Sequence, residues 1–283
     1  MNKTLLFIIM ALFSFASCRK TDTDVFFKIS NGPGYKFSDI ELYDTSTDIL
    51  YFKNVHNELN NIEEGSFSFL DNGEIIYSGT FWSAYSSLGP TGPFISAPPS
   101  MFGNYALRIG NFHFDKPDVR KDPRMIAVLN QHDLLHSGLA LSSVSLEITG
   151  GQITFNFNVT NHDQSDLMII DLDKTGANLF HYFTNGLYIR DLTYNQVFKS
   201  NIQIQAPDPW NKLDMAWLSQ LKSGDSRQFT INYTINNPIS PGEYYATFSF
   251  PGLAYQVSRD QLYQETGRIW LGDIQVNKRI TIQ

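Results

Sequence analysis

Two histidines spaced one helical turn apart form the clearest metal-binding pattern in this sequence. His132 and His136 stand at positions i and i+4, which would place both imidazoles on one face of a helix. The same spacing binds zinc in the H-E-x-x-H motif. Asp133 occupies the glutamate position, and no third ligand is identifiable nearby. Histidines in the last turn of a helix also favour its negative dipole end. We therefore predict no metal and keep a metal-dependent hydrolase using His132 and His136 as an alternative.

A second segment, rich in oxygen ligands, partly matches a calcium-binding loop. Asp171, Asp173 and Thr175 offer oxygens at loop positions one, three and five, and Gly176 follows at position six. The bidentate acid of such a loop belongs at position twelve, which is Tyr182 here. Ordinary turn preferences account for the same residues. We predict a hairpin turn between two strands.

Motifs for covalent catalysis and cofactor binding are not found in the sequence. There is no G-x-S-x-G, and Ser86-Ser87 have no recognisable histidine or lysine partner motif. No glycine-rich phosphate loop joins a strand to a helix. We predict a non-enzymatic protein without a cofactor.

Aromatic side chains offer a different kind of site. Trp82 and Tyr85 open a long loop, and Trp210 and Trp217 sit in a segment that runs from Pro207 through Leu218. Flat rings exposed on a β-scaffold can stack on sugars or anchor a protein partner. The alternative is that these rings pack inward, because tryptophan is on average highly buried. The four residues are the predicted ligand-contact set, with a glycan or an envelope protein as the partner.

Composition and charge bound the fold and the partners. The 283 residues are 42% hydrophobic and 14% aromatic, which excludes a disordered chain and favours pleated sheets over helix bundles. The length is enough for two domains of about 100–150 residues each. The net charge is −7 and no basic stripe exists, so nucleic acid is not an expected partner.

The N-terminus has the features of a secretory signal peptide over residues 1–17. A basic start precedes a nine-residue apolar run, too short to span a bilayer. Phe15-Ala16-Ser17-Cys18 resembles the lipobox of bacterial lipoproteins, with Phe15 in place of the usual leucine. The resemblance implies that Cys18, the single cysteine, carries the lipid that anchors the mature chain to a membrane.

A polar segment over 18–23 is predicted to be the lipidated tether between anchor and fold. In lipoproteins of bacteria with two membranes, aspartate directly after the lipidated cysteine retains the protein at the inner membrane. Arg19 occupies that place here. The resemblance therefore implies an outer-membrane lipoprotein, with the periplasmic or the surface face left open.

Alternating apolar residues predict an N-terminal β module over 24–113. Asn72-Gly73 lies between two alternating runs, which is a strong hairpin signal. A loop over 83–103 follows, rich in proline and glycine, and loops of this length are often functional. An alternative function is therefore a proteinase-inhibitor-like protein that presents loop 83–103.

A helical connector is predicted over 114–140. Asp122-Pro123 has the pattern of an N-cap followed by the first helical residue. Apolar residues then recur at helical spacing, and Gly138 is the predicted end of the helix or helical pair. We expect this helix to pack between two modules, because its apolar stripe needs a surface to cover.

The remaining residues, 141–283, are predicted to form a second β module. The strand that ends in Val159-Thr160-Asn161 and the Pro241-Gly242 turn before a late strand resemble features of immunoglobulin-like accessory domains of bacterial secreted proteins. The resemblance implies an immunoglobulin-like β-sandwich. The predicted fold class is thus mainly β, with two antiparallel β-sandwich-like modules joined by a short helical connector. The expected function is a non-enzymatic binding or scaffold protein at the outer membrane.

Overall fold

In a computed structural model, the chain is mainly β, with 48% strand and 14% helix, which confirms the predicted fold class. No helix among the residues described is long and apolar enough to cross a membrane. The predicted signal segment 1–17 and the whole predicted tether over 18–23, with Cys18, fall outside the described residues. The structure describes residues 24–83, 85–99, 102–112, 117–184, 186–254 and 257–282.

Ten strands and one α-helix build the N-terminal half. They are β1 (Val25–Ile29), β2 (Gly34–Lys36), β3 (Ile40–Asp44), β4 (Ile49–Phe52), β5 (Gly65–Asp71), β6 (Glu74–Ser83), β7 (Pro93–Ala97), β8 (Ala106–Arg108), β9 (Gly110–Asn111), α1 (Pro123–Gln131) and β10 (Leu135–His136). Short 3₁₀ helices cover Phe37–Asp39, Asn57–Asn61, Gly103–Tyr105 and Val119–Lys121.

Two sheets of the N-terminal half pack around an aromatic core. One sheet has the order β2-β1-β5-β6-β7-β9 and the other β10-β3-β4-β8. Phe27, Phe67 and Phe69 are fully buried between them. The β5–β6 hairpin turns at Asn72-Gly73, where both residues have positive φ, as a two-residue hairpin turn requires. The predicted hairpin is confirmed.

The helix α1 packs against the N-terminal core and not between two modules. Asp122 is its N-cap and accepts from the Arg124 backbone N–H, with Pro123 in the first turn, as predicted. Met125, Val128 and Leu129 all belong to the N-terminal core, so the expected interface position is wrong.

The C-terminal half contains eleven strands and one α-helix. They are β11 (Leu139–Thr149), β12 (Gln152–Asn161), β13 (Leu167–Ile170), α2 (Leu172–Phe180), β14 (Tyr188–Asp191), β15 (Gln196–Lys199), β16 (Leu218–Leu221), β17 (Ser226–Thr234), β18 (Gly242–Pro251), β19 (Tyr263–Gln264), β20 (Gly267–Ile269) and β21 (Asp273–Ile282). A 3₁₀ helix covers Met215–Trp217.

Three sheets surround the C-terminal core. Their orders are β11-β12-β17, β16-β13-β20-β19 and β15-β14-β18-β21. β12 alternates buried and half-buried residues along its length, so one face points into the core. Phe157 is fully buried, with its ring centroid 5.3 Å from Phe229 and 5.0 Å from Phe248. This cluster joins the first sheet to the third.

One sheet of the N-terminal half, β10-β3-β4-β8, contributes side chains to the cores of both halves. All four residues of β4 are buried. Leu50 and Phe52 belong to the N-terminal core, whereas Ile49 and Tyr51 belong to the C-terminal one. The sheet β10-β3-β4-β8 is therefore covered on both faces, and the halves meet along an apolar surface.

Four charged or titratable side chains form a junction network between the halves: Arg268, Asp44, Asp163 and His136. The Arg268 Nη2 lies 3.0 Å from Asp44 Oδ2 and 3.2 Å from Asp163 Oδ2. His136 Nδ1 lies 2.8 Å from Asp163 Oδ1. Burial would raise the pKa of Asp163, but the His136 hydrogen bond and the nearby charges hold that pKa well below its usual range. Asp163 therefore keeps its negative charge.

A buried histidine in the C-terminal core makes stability depend on pH. Desolvation lowers the pKa of His181, against the opposing effect of its hydrogen bond to the Ala177 carbonyl. His181 Nδ1 lies 2.6 Å from that carbonyl and Nε2 lies 3.1 Å from the Tyr233 hydroxyl. A neutral ring satisfies both, because Nδ1 donates to the carbonyl and Nε2 accepts from the hydroxyl.

We expect the His181→Gln protein to lose less stability than the native protein when pH falls from about 7 to about 5. Unfolded His181 takes up a proton near its ordinary pKa of about 6.5, whereas folded His181 does so only at lower pH. The stabilisation that neutral His181 gives the native protein is therefore complete above a pH of about 6.5 and declines as the pH falls below it. Urea unfolding of both proteins across this pH range measures the difference. Parallel pH profiles would contradict the prediction.

Candidate functional site

A groove opens where the two halves meet, and we call it the junction groove. Its walls come from the edge strands β8 and β9 and from the preceding strand β7, and Gln275 of β21 contributes from the other half. Its volume is about 430 Å³, within the range of small-ligand and peptide pockets. Apart from Gln275, the lining belongs to the N-terminal half.

Close packing of an aromatic ring on a glycine shapes one wall. Phe94 of β7 pairs with Gly110 of β9. A Cβ added to Gly110 would lie 2.4 Å from Phe94 Cζ. Only glycine therefore lets this ring lie against the β9 backbone.

Two arginines fix the polar side of the groove. Arg108 Nη1 lies 2.5 Å from Asp273 Oδ1, which links the halves. Arg120 lies 2.6 Å from Asp48 and 2.7 Å from Asp118 and also donates to the Ile109 carbonyl. Burial raises the pKa of Asp48, and the charge of Arg120 opposes that shift. Both arginines are thus neutralised by carboxylates of the same chain.

Exposed apolar side chains form a rim beside the groove, and we call Trp82, Tyr85, Leu88 and Phe112 the apolar rim. Tyr85 is 93% exposed, Leu88 76% and Phe112 52%. The Trp82 ring is half-buried, packs edge-on against Phe94 and donates from Nε1 to the Leu88 carbonyl at 2.9 Å. Clustered apolar exposure of this kind marks interaction surfaces.

The four predicted contact residues divide between two places. Trp82 packs against Phe94, which lines the junction groove, and Tyr85 follows three residues later as an exposed side chain. Trp210 is 54% exposed and Trp217 packs against Phe183, with ring centroids 5.9 Å apart. Neither Trp210 nor Trp217 lines the groove. The structure therefore does not bring the predicted set together.

The interval 83–103 is not one continuous loop. Pro93–Ala97 forms β7, which runs parallel to β6 and pairs Phe81 with Ile95. Ile95 and Ala97 are buried, so the centre of the predicted loop is part of the six-stranded sheet. The continuous exposed portion is the stretch from Tyr85 to Gly89.

His132 and His136 do not share a helical face. The helix α1 ends at Gln131, and Asp133 adopts positive φ, which turns the chain towards β10. The His132 ring stacks on Phe37 at 3.7 Å, and His136 pairs with Asp163 in the junction network. In the described part of the chain, no three His, Cys, Asp or Glu side chains are arranged to hold a metal.

The segment from Asp171 to Thr175 forms one helical turn, which corrects the predicted hairpin turn, and Gly176 then interrupts α2 with a φ of +68°. Asp171 is the N-cap of α2 and accepts from the Asp173 backbone N–H at 3.0 Å. Its carboxylate also pairs with Arg227 at 2.6 Å. An aspartate before a helix satisfies the unpaired N–H groups of the first turn, and this capping pattern was present in the sequence.

Sequence reasoning missed most of the groove. Phe94 and Phe112 are separated in sequence by strands that return to the same edge. Arg108 and Arg120 do not belong to a recognisable sequence motif. The available signal was Gly110 within an otherwise apolar strand pattern, because such a glycine often marks close approach of another group.

Comparison with known proteins gives no family for the chain. No protein-family model matches the chain, and no curated protein matches it either.

Proposed function

We propose that this chain is a non-enzymatic, lipid-anchored binding protein of the outer membrane that holds part of another envelope protein at the junction groove. The observation that carries the proposal is the apolar rim, where Tyr85, Leu88 and Phe112 are exposed beside a groove of about 430 Å³. Aromatic and aliphatic anchors next to a pocket are typical of protein-binding hot spots.

The chemistry of the groove favours a protein over a sugar. Its arginines, Arg108 and Arg120, are already paired with carboxylates of the chain. The remaining lining is largely apolar, with Phe94 and Phe102 among it. Burying such a surface under apolar side chains of a partner yields about 25 cal/mol per Å², whereas sugar hydroxyls would need many polar partners.

The anchor is the second part of the proposal. The lipobox-like Phe15-Ala16-Ser17-Cys18 supports lipidation at Cys18, and Arg19 supports the outer membrane. A tether over 18–23 has a reach of about 20 Å at most. The partner is therefore a protein close to the membrane surface.

Site-specific photo-crosslinking in cells tests the proposal. A benzophenone side chain placed at Tyr85 should give a crosslinked protein adduct, because that ring lies on the apolar rim. The same side chain at Ile204, which is 60% exposed on the C-terminal half, should not give that adduct. Cys18→Ala should remove both the membrane fractionation and most of the adduct.

The outcomes separate the two parts of the proposal. Equal adducts from positions 85 and 204, or none from either, would contradict binding at the groove. A Cys18→Ala protein that still fractionates with the membrane would contradict lipid anchoring.

A further inference from the structure

The outward face of the sheet β15-β14-β18-β21 carries an aromatic and basic surface apart from the groove. Tyr188 of β14 lies opposite Lys199 and Thr247, and Arg190 lies opposite Tyr245. Side chains at directly paired and alternate positions point to the same side of a sheet. We call Tyr188, Arg190, Tyr194, Lys199 and Tyr245 the tyrosine face.

Tyr194 is displayed on this face from a strained turn. Its φ is +65°, a conformation that is rare for bulky residues and costs about 1–2 kcal/mol. The Asp191 carboxylate holds the turn by accepting from Thr193 and from Asn195. The exposed Tyr194 ring lies parallel to the Tyr245 ring, 5.6 Å between centroids and 7° between planes. Strain that exposes a ring is typical of functional positions.

Two cations of the tyrosine face lack a counter-charge. Within the described residues there are eight arginines, and seven of them form ion pairs. Arg190 is the exception, and Lys199 forms no ion pair there either. Both lie over the Tyr188 ring, with Arg190 at 5.9 Å and Lys199 at 5.6 Å. The Tyr188 ring carries no net charge, so it does not neutralise either cation.

The whole face is positive on a negative protein. Arg279 lies opposite Tyr245, and Glu243 pairs with Arg279 at 2.5 Å. With Asp191 of the Tyr194 turn included, three cations stand against two carboxylates and give +1, whereas the chain as a whole carries −7. A ligand that brings negative charge is therefore complementary to this face.

We propose that the tyrosine face binds an acidic glycan, a polysaccharide whose sugar rings carry carboxylates. The flat Tyr194 and Tyr245 pair offers a stacking surface for a sugar ring. Arg190 and Lys199 lie beside this pair, where they would donate hydrogen bonds to a carboxylate of the sugar. A membrane surface fits less well, because lipid-binding basic clusters contain about 4–8 lysines and arginines.

The test is calorimetric binding of the full-length protein in detergent to polygalacturonate, with dextran as the neutral polymer. We expect binding to polygalacturonate alone, and weaker binding as NaCl rises from about 50 to about 500 mM, because salt screens charge pairs. The Arg190→Gln/Lys199→Gln protein should bind at least about tenfold more weakly. The exposed pair Lys212→Gln/Lys222→Gln removes the same charge elsewhere and should leave binding unchanged.

Tyr194→Gly separates binding from folding. Glycine adopts positive φ without strain, so the thermal midpoint should stay the same or rise while polygalacturonate binding falls about tenfold or more. Absence of binding by the native protein would overturn the proposal. Equal losses in the Lys212→Gln/Lys222→Gln control, or equal binding to anionic vesicles or DNA, would also overturn it. Crosslinking from Tyr85 does not depend on these variants, so the two functional proposals fail independently.

Discussion

The Arg268→Met protein is expected to lose about 3–5 kcal/mol of unfolding free energy, because breaking a buried ion pair leaves uncompensated charge. Arg268 is 2% exposed and its two partners, Asp44 and Asp163, have fully buried carboxylates. Removing the guanidinium leaves both carboxylates in the junction between the halves. Urea or thermal unfolding measures the loss, and we expect separate transitions of the halves to become resolved.

A matched surface pair provides the control. Arg279 and Glu243 are about half exposed and lie 2.5 Å apart, so Arg279→Met should cost about 0–1 kcal/mol. Adding Asp44→Asn and Asp163→Asn to Arg268→Met should recover part of the loss, because the buried charges are then removed together. A loss as small as that of Arg279→Met would show that water reaches the junction network.

Gly138→Ala is expected to destabilise the protein by about 3 kcal/mol, combining left-handed backbone strain with overpacking. Gly138 has φ +60°, and an added Cβ would lie 2.3 Å from Asp44 Oδ1 and 2.2 Å from Ser46 Oγ. Asp44 cannot move aside easily, because Oδ1 accepts from Ser46 and Oδ2 pairs with Arg268. The substitution therefore disturbs the junction network through its carboxylate.

Gly150→Ala is the matched control for Gly138→Ala. Gly150 has φ +58°, and no atom lies within 4 Å of its added Cβ. It carries the backbone strain without the overpacking, so the loss should be about 1 kcal/mol. The difference between the two alanine proteins in chemical denaturation isolates the steric part. Equal losses would mean that Ser46 and Asp44 relax without resistance.

Local patterns in the sequence predicted the elements that depend only on near neighbours. The Asn72-Gly73 hairpin needs two residues that tolerate positive φ. The alternation of β12 reports one buried face, and Asp122-Pro123 starts α1. In each case the deciding interaction is made within a few residues of the pattern.

Features set by distant contacts could not be read in the same way. β4 reads as a continuous apolar strand, but which core each side chain enters depends on the second half of the chain. His132 and His136 keep helical spacing in sequence, yet Leu135–His136 pairs with β3 and ends the helix early. Tertiary pairing decided these cases against local propensity.

The candidate sites divide along the same line. Trp82 and Tyr85 were recognisable because exposed rings often open functional loops. Arg190 and Lys199 were not, because their importance lies in missing partners, which only the assembled ion pairs reveal. An unpaired cation has no signature in a sequence.

The shared sheet has a consequence for how the chain comes into being. Synthesis delivers the N-terminal half first, so Ile49 and Tyr51 of β4 face water until their cover arrives. That cover includes Trp270 and Leu271, which lie near the very end of the 283 residues. A chain that ended before these two residues would expose an apolar surface prone to association with other chains. A chaperone that covers this apolar face during synthesis would therefore protect the nascent protein from association.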